Sequence, residues 1–149
     1  MLSHFATGIT IVTALQDDRP VGVTCQSFSS LSLDPPLVAL FAGASSTSWP
    51  HIRRAGVFTV NVLASDQEEL CRGFARSGAD KFAGVPWTPS AVGTPVLEDV
   101  LAWIDCSLES EVEAGDHIVL IGRVLDLEVV RPDAPPLLFF RGGYGRFGA

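Results

Sequence analysis

Long apolar runs, positive charge and cysteine are all scarce in this 149-residue chain, and each shortage narrows what it can do. No apolar run approaches the roughly 18 residues that a membrane-crossing helix needs, so no membrane partner is expected. A formal charge of −7 leaves no basic face for a phosphate backbone, which argues against nucleic acid. Cys25, Cys71 and Cys106 are odd in number, far apart and without C-x-x-C spacing, so neither a disulfide framework nor a zinc site is expected. A reducing cytoplasm suits them. Met1-Leu2-Ser3-His4-Phe5 lacks the basic start of a signal peptide. No G-x-S-x-G elbow accompanies the serines, and His4, His51 and His117 lack ligand spacing, so neither a hydrolase triad nor a metal centre is indicated.

What is present is β signal. Hydrophobic residues are 47% of the chain and charged residues 18%, enough for one packed domain over residues 1–149. Thr7 to Ala14, Val21 to Thr24, Leu37 to Phe41 and Val57 to Leu63 read as strands. In the last, Phe58, Val60 and Val62 share one face, and Thr59 and Asn61 the other. A short helix is predicted over residues 47–56, with Pro50 just inside it and Gly56 at its end. Ser65-Asp66-Gln67-Glu68 reads as a capping box opening a second helix to about Arg76, with Leu70 and Phe74 as its buried stripe and Gly78 as its stop. Asp80 to Thr94 reads as loop. Ala102 to Leu108 and His117 to Val130 are strands joined by the Glu113–Asp116 turn, and Leu137 to Phe140 is the final strand before a glycine-rich tail. Six or seven strands, two short helices and no α/β alternation predict a mainly β, antiparallel barrel with flanking helices. The apolar His117 strand and three tryptophans exceed what a small barrel needs to cover itself, which suits a homodimer.

Two hydroxyl clusters flank the Leu37–Phe41 strand. Thr24, Ser27, Ser29, Ser30 and Ser32 precede it, and Ser45-Ser46-Thr47-Ser48 follows at the start of the first helix, a place that favours an anion. Together they can satisfy a phosphate or the polar rim of a flat heterocycle. By themselves they also serve as a turn and a helix cap. Lys81 is the only lysine, and the arginines at 53, 54, 72 and 76 lie in the same third of the chain, which allows one small basic pocket. Gly143-Tyr144-Gly145-Arg146-Phe147-Gly148 matches G-x-G-x-x-G by letter. That motif needs a helix after it, and here only Ala149 follows, so no Rossmann unit is expected.

Five segments taken in order resemble the flavin reductase family, the short-chain NAD(P)H:flavin oxidoreductases that serve two-component monooxygenases. They are T-x-x-S-F-x-S-x-S-L-D-P-P-L-V (Thr24 to Val38), F-T-V-N-V-L (Phe58 to Leu63), D-K-F-A-G (Asp80 to Gly84), G-D-H-x-x-x-x-G-x-V (Gly115 to Val124) and P-L-L-F-F-R-G-x-Y (Pro136 to Tyr144). The resemblance implies a split β-barrel, a homodimer, and FMN or FAD bound near the subunit interface. It implies that Thr24, Cys25, Gln26, Ser27 and Phe28 lie along the isoalloxazine and ribityl chain, with Ser30 and Leu31 close by. Ser45, Ser46 and Thr47 would meet the flavin phosphate, and Lys81 and Phe82 would lie near the flavin. His117 would receive the nicotinamide of NADH or NADPH, and Tyr144 would close over it.

Cys25-Gln26 stands where many relatives have Ala-Asn, which changes the polar contact to the ring edge. Cys25 is read as a packing residue, since no partner thiol is evident. Asp116 is read as shaping its turn rather than orienting His117. The implied function is hydride transfer from NAD(P)H to flavin, with reduced flavin passed to a partner monooxygenase. Two alternatives stay open: a flavin-binding barrel acting as carrier or sensor, and a barrel that binds no flavin.

Overall fold

Alternation and β-branching carry the chain into strands where the sequence predicts them, and hairpins alternate with longer crossovers between them. The computed structural model describes residues 1–78 and 80–148. Its order is β1 (Thr7–Gly8), β2 (Thr10–Gln16), β3 (Arg19–Cys25), β4 (Ser29–Leu33), β5 (Pro36–Gly43), α1 (Trp49–Ala55), β6 (Val57–Val62) and α2 (Glu68–Ala75). There follow β7 (Trp87–Pro89), β8 (Pro95–Leu97), β9 (Ala102–Ala114), β10 (His117–Val129), β11 (Leu137–Phe140) and β12 (Gly143–Arg146). Seven strands form one antiparallel sheet in the order β3-β2-β6-β9-β10-β5-β4, with β1-β11-β12 and β7-β8 as smaller sheets. The architecture is a mainly β split barrel with two short helices. No helix of the described residues is long and apolar enough to cross a membrane.

Two cores sit on opposite faces of β2. Val12 and Ala14 join Leu40, Trp49, Ile52, Phe58 and Leu120 inside the barrel. Ile11, one residue out of phase, joins Cys71, Phe74, Leu97 and Leu137 beneath α2 and the small sheets. The same burial on both faces holds in β6. Thr59 and Asn61 are as fully buried as Phe58 and Val60, because the β7–β8 hairpin covers them. Leu97 N–H donates to Asn61 Oδ1 (3.0 Å), Asn61 Nδ2 donates to Ile11 O (3.0 Å), and Thr59 Oγ1 donates to Asp105 Oδ1 (2.6 Å). Burial, with Asp105 beside it, pushes the Cys106 thiol up to about 12, so this buried cysteine stays protonated.

Three local expectations change. The capping box does not form, and α2 starts at Glu68 rather than near Asp66. Ser65 N–H donates to Pro135 O (2.8 Å), and the buried Gln67 side chain accepts from Ala64 N–H (3.0 Å) while donating to Glu98 O (3.0 Å). Tertiary bonds have taken the groups that a cap would use. α2 ends at Ala75, before Gly78, and buries Cys71 and Phe74 while Leu70 stays partly exposed. The region read as loop contains β7, and the glycine-rich tail forms β12, paired with β11. Gly143–Arg146 is therefore strand, not the turn of a dinucleotide loop.

Both helices brace β3. Phe74 of α2 packs on Gly22, where an added Cβ would sit 2.8 Å from Phe74 Cε1. Thr24 Oγ1 donates to Cys71 O at 2.7 Å. Lys81 Nζ donates to Gly22 O (3.1 Å), Ser48 Oγ (3.0 Å) and Phe74 O (3.1 Å), tying β3, the entry to α1 and the end of α2 together.

Candidate functional site

β10 pairs with β5 so that His117 lies opposite Gly43, and Ala44 N–H donates to Asp116 O at 2.9 Å. That register brings the start of β10 to the end of β5. The segment after β3 arrives at the same place through one hydroxyl: Ser27 Oγ donates to Phe41 O (3.0 Å) and accepts from Phe41 N–H (2.9 Å). A side chain thus takes the part of a strand residue, because the chain turns away from the ladder there.

Between these elements lies a cavity of about 360 Å3. Val12, Val23, Leu40 and Trp49 contribute apolar wall, and Thr24, Cys25, Gln26, Ser27, Ser46 and His117 polar wall. The volume falls in the range of small-molecule sites, which are mostly apolar with a few placed polar groups. Six of the residues that the sequence analysis singles out are therefore brought together. The strand residues of the wall carry no motif, and alternation marks them only as core.

Much of the hydroxyl inventory is already spent. Thr24 donates to Cys71 O, Ser46 Oγ accepts from Trp49 N–H (3.2 Å), and Cys25 Sγ lies 3.1 Å from Ser27 Oγ. Thr7 Oγ1 donates to Gln26 Oε1 (3.2 Å), which leaves the Gln26 amide NH2 without a partner among the described residues. The Ser46 hydroxyl proton is likewise uncommitted. Gln26 and Ser46 are thus among the donors this wall can offer a ligand, and the buried Trp49 Nε1 also has no partner among the described residues.

His117 is half exposed at the rim, its Nδ1 2.7 Å from Asp116 Oδ1. The bond to His117 holds the Asp116 carboxyl below its usual range. Asp116 therefore orients the imidazole as well as shaping the turn, where the sequence reading favours the turn alone.

The remaining candidates lie elsewhere. Phe28 packs against the barrel core, Ser30 and Leu31 are exposed on β4 at a bulge opposite β5, and Ser45 is exposed before α1. Thr47, Lys81 and Phe82 line a second, larger groove. All three Lys81 protons are engaged within the chain, and burial lowers its basicity. Phe82 packs edge-on to Phe74 (4.9 Å) and Trp87 (6.4 Å). Tyr144, on β12, is not in the wall with His117. Its hydroxyl accepts from Cys71 Sγ (3.6 Å), and its ring lies under the Arg72 guanidinium (4.6 Å). The Cys71 bond, with burial second, raises the phenol above its ordinary value.

Known proteins resemble this chain over almost all of its length. Residues 2–148 match the flavin reductase like domain. The chain is 51% identical over 144 residues to the reductase subunit HsaB of a flavin-dependent monooxygenase from Rhodococcus jostii, covering 97% of this chain and 73% of that one. Nitrilotriacetate monooxygenase component B from Mycobacterium thermoresistibile superposes with a TM-score of 0.95 at 43% identity, covering 99% of this chain and 83% of that one. The NADH:FAD oxidoreductase SgcE6 from Streptomyces globisporus, solved with NAD and FAD fragments, superposes at 0.92 with 32% identity, covering 99% and 88%.

Proposed function

The chain belongs to the flavin reductase like domain family, and from that premise we propose that its cavity holds the flavin ring while NAD(P)H approaches past His117. The protein is an NAD(P)H-dependent flavin reductase that supplies reduced flavin to a partner monooxygenase. The observation that carries the site is the convergence of Thr24 to Ser27, Ser46 and His117 on one apolar-walled cavity.

The two nucleotides supply the chemistry themselves, a hydride leaving nicotinamide C4 for flavin N5. The chain's part is positioning, which by itself lowers a bimolecular barrier by several kcal/mol. Val23 and Leu40 give the ring an apolar seat, and the Gln26 NH2 and the Ser46 hydroxyl donate to its polar atoms. The Asp116–His117 pair fixes an imidazole at the mouth, where it receives the nicotinamide. Lys81 and Phe82 act from behind, bracing β3. No side chain has to move a proton in the transfer, since the hydride passes directly from one ring to the other.

The working unit is a homodimer. Leu125, Leu127 and Val129 alternate on β10 and are about half exposed, an apolar stripe that a second copy would cover. Three free cysteines suit the reducing cytoplasm.

The test is stopped-flow mixing of NADH or NADPH with protein and flavin. Rapid bleaching of flavin absorbance is expected, and His117→Ala should raise the KM for the nicotinamide nucleotide several-fold while leaving flavin affinity unchanged. Tight flavin retention without bleaching would make the chain a carrier. Failure to quench added FMN fluorescence would remove the flavin from this site.

A further inference from the structure

The backbone on either side of Gln26 is pinned, and the Gln26 side chain is not. Cys25 closes the β2–β3 ladder opposite Thr10, whose Oγ1 donates to Cys25 O (2.7 Å), and Ser27 is fastened to both main-chain groups of Phe41. Gln26 itself is exposed and lines the cavity, where its side-chain torsions would let the amide swing and flip. An amide has two ends to offer, a carbonyl that accepts and an NH2 that donates. A ligand meeting a swinging amide has to order it first, which weakens binding.

One contact removes that freedom. Thr7 Oγ1 donates to Gln26 Oε1 (3.2 Å), which occupies the carbonyl and leaves the NH2 as the end free for a ligand. Thr7 is well placed to hold something still. β1 pairs with β11 through Thr7 opposite Phe139 and Gly8 opposite Leu138, and Ile9 just beyond is fully buried in the core beneath α2. Thr7 does not line the cavity, so its hydroxyl acts on a bound molecule through Gln26.

We infer that Thr7 is a positioning residue of the flavin site: by holding the Gln26 carbonyl it presents the amide as a donor and fits this wall to an acceptor on the ring's edge. The inference rests on the flavin site proposed above. A flavin edge carries carbonyl oxygens and unprotonated ring nitrogens, which an NH2 satisfies and a second carbonyl would repel.

The test is calorimetric titration with FMN and with FAD, alongside melting without flavin. It compares wild type with Thr7→Val, Thr7→Ser, Gln26→Ala, Gln26→Glu and the Thr7→Val, Gln26→Ala double variant. Thr7→Val keeps the shape of the side chain and removes its hydroxyl. It should weaken flavin binding roughly 3- to 10-fold while the melting temperature stays within about 2 °C of wild type. Thr7→Ser keeps the donor and should bind within about twofold of wild type. In the Gln26→Ala background Thr7→Val should cost no further affinity. Gln26→Glu should lose more than Gln26→Ala, because Thr7 can hold one carboxylate oxygen and the other then meets the acceptors of the ring. Unchanged flavin affinity in Thr7→Val, or an equal loss with and without the Gln26 side chain, would overturn the inference and leave the flavin site standing. Gln26→Glu that binds flavin as tightly as wild type would also overturn it, since the wall would then be offering an acceptor. Wild type that binds neither flavin would overturn the flavin site itself and this inference with it.

Discussion

Replacing Lys81 by methionine separates a brace from a ligand group. The ammonium makes three hydrogen bonds of 3.0 to 3.1 Å to three different segments, and methionine keeps most of the apolar stem while removing every donor. Hydrogen bonds to a charged group contribute about 1.5–3 kcal/mol each when buried. The sum is cut by two facts: Lys81 is only partly buried, and its desolvation, seen in the lowered basicity, is relieved by the change. We therefore expect a net loss of about 2–3 kcal/mol. In a chain of this size that lowers the melting temperature by roughly 5–10 °C. Circular dichroism melting without flavin measures it, and a double-mutant cycle with Ser48→Ala should show coupling of about 1 kcal/mol. FMN affinity should change less than about threefold, under ~0.7 kcal/mol. A melting point within a degree or two of wild type, with FMN affinity down tenfold, would refute the reasoning and return Lys81 to the flavin.

Asp116→Asn keeps the backbone carbonyl that accepts from Ala44 and weakens the hold on His117. The KM for NADH should rise roughly 3- to 10-fold at unchanged flavin affinity; an unchanged KM would show that the carboxylate serves the turn only. Gly22→Ala would put a methyl 2.8 Å from Phe74 Cε1, at a cost of about 1–3 kcal/mol by urea unfolding, and a compensating Phe74→Leu should recover part of it. Hydrogen bonds from Arg131 hold the Asp66 carboxyl below its ordinary 3.8. The folded chain therefore binds that proton less readily than the unfolded chain, and the pair's contribution, full above 3.8, fades as pH falls through the lower folded value. Asp66→Asn should flatten the fall of urea midpoints between roughly pH 4.5 and 2.5; an unchanged slope would show that the pair adds nothing to stability.

Strand positions were legible because β-branched runs and turn residues are local signals. The burial of Thr59 and Asn61 was not, since period-two alternation marks them as the polar face and only the later β7–β8 hairpin covers it. The capping box failed for a related reason: Ser65 N–H found its partner at Pro135 and the Gln67 amide at Glu98, and distant partners leave no trace in a four-residue window. Motif order named Thr24 to Ser27 and His117, and the hydroxyl cluster before α1 named Ser46, and these residues share one cavity wall. Motif order does not say which way a side chain points. Lys81 and Phe82 face the groove and Tyr144 lies against Cys71, and the Asp116 carboxylate reaches its neighbour where the turn alone seemed its task.

The Ser27–Phe41 contact has a mechanical meaning for a protein whose product must depart. A seam closed by main-chain rungs would open only with the sheet, whereas this one is fastened by a single hydroxyl worth about 1–3 kcal/mol for its two bonds. With the flavin in this cavity as proposed, unfastening it would free one flank while the rest of the barrel holds its shape, so the cargo would leave without the container coming apart.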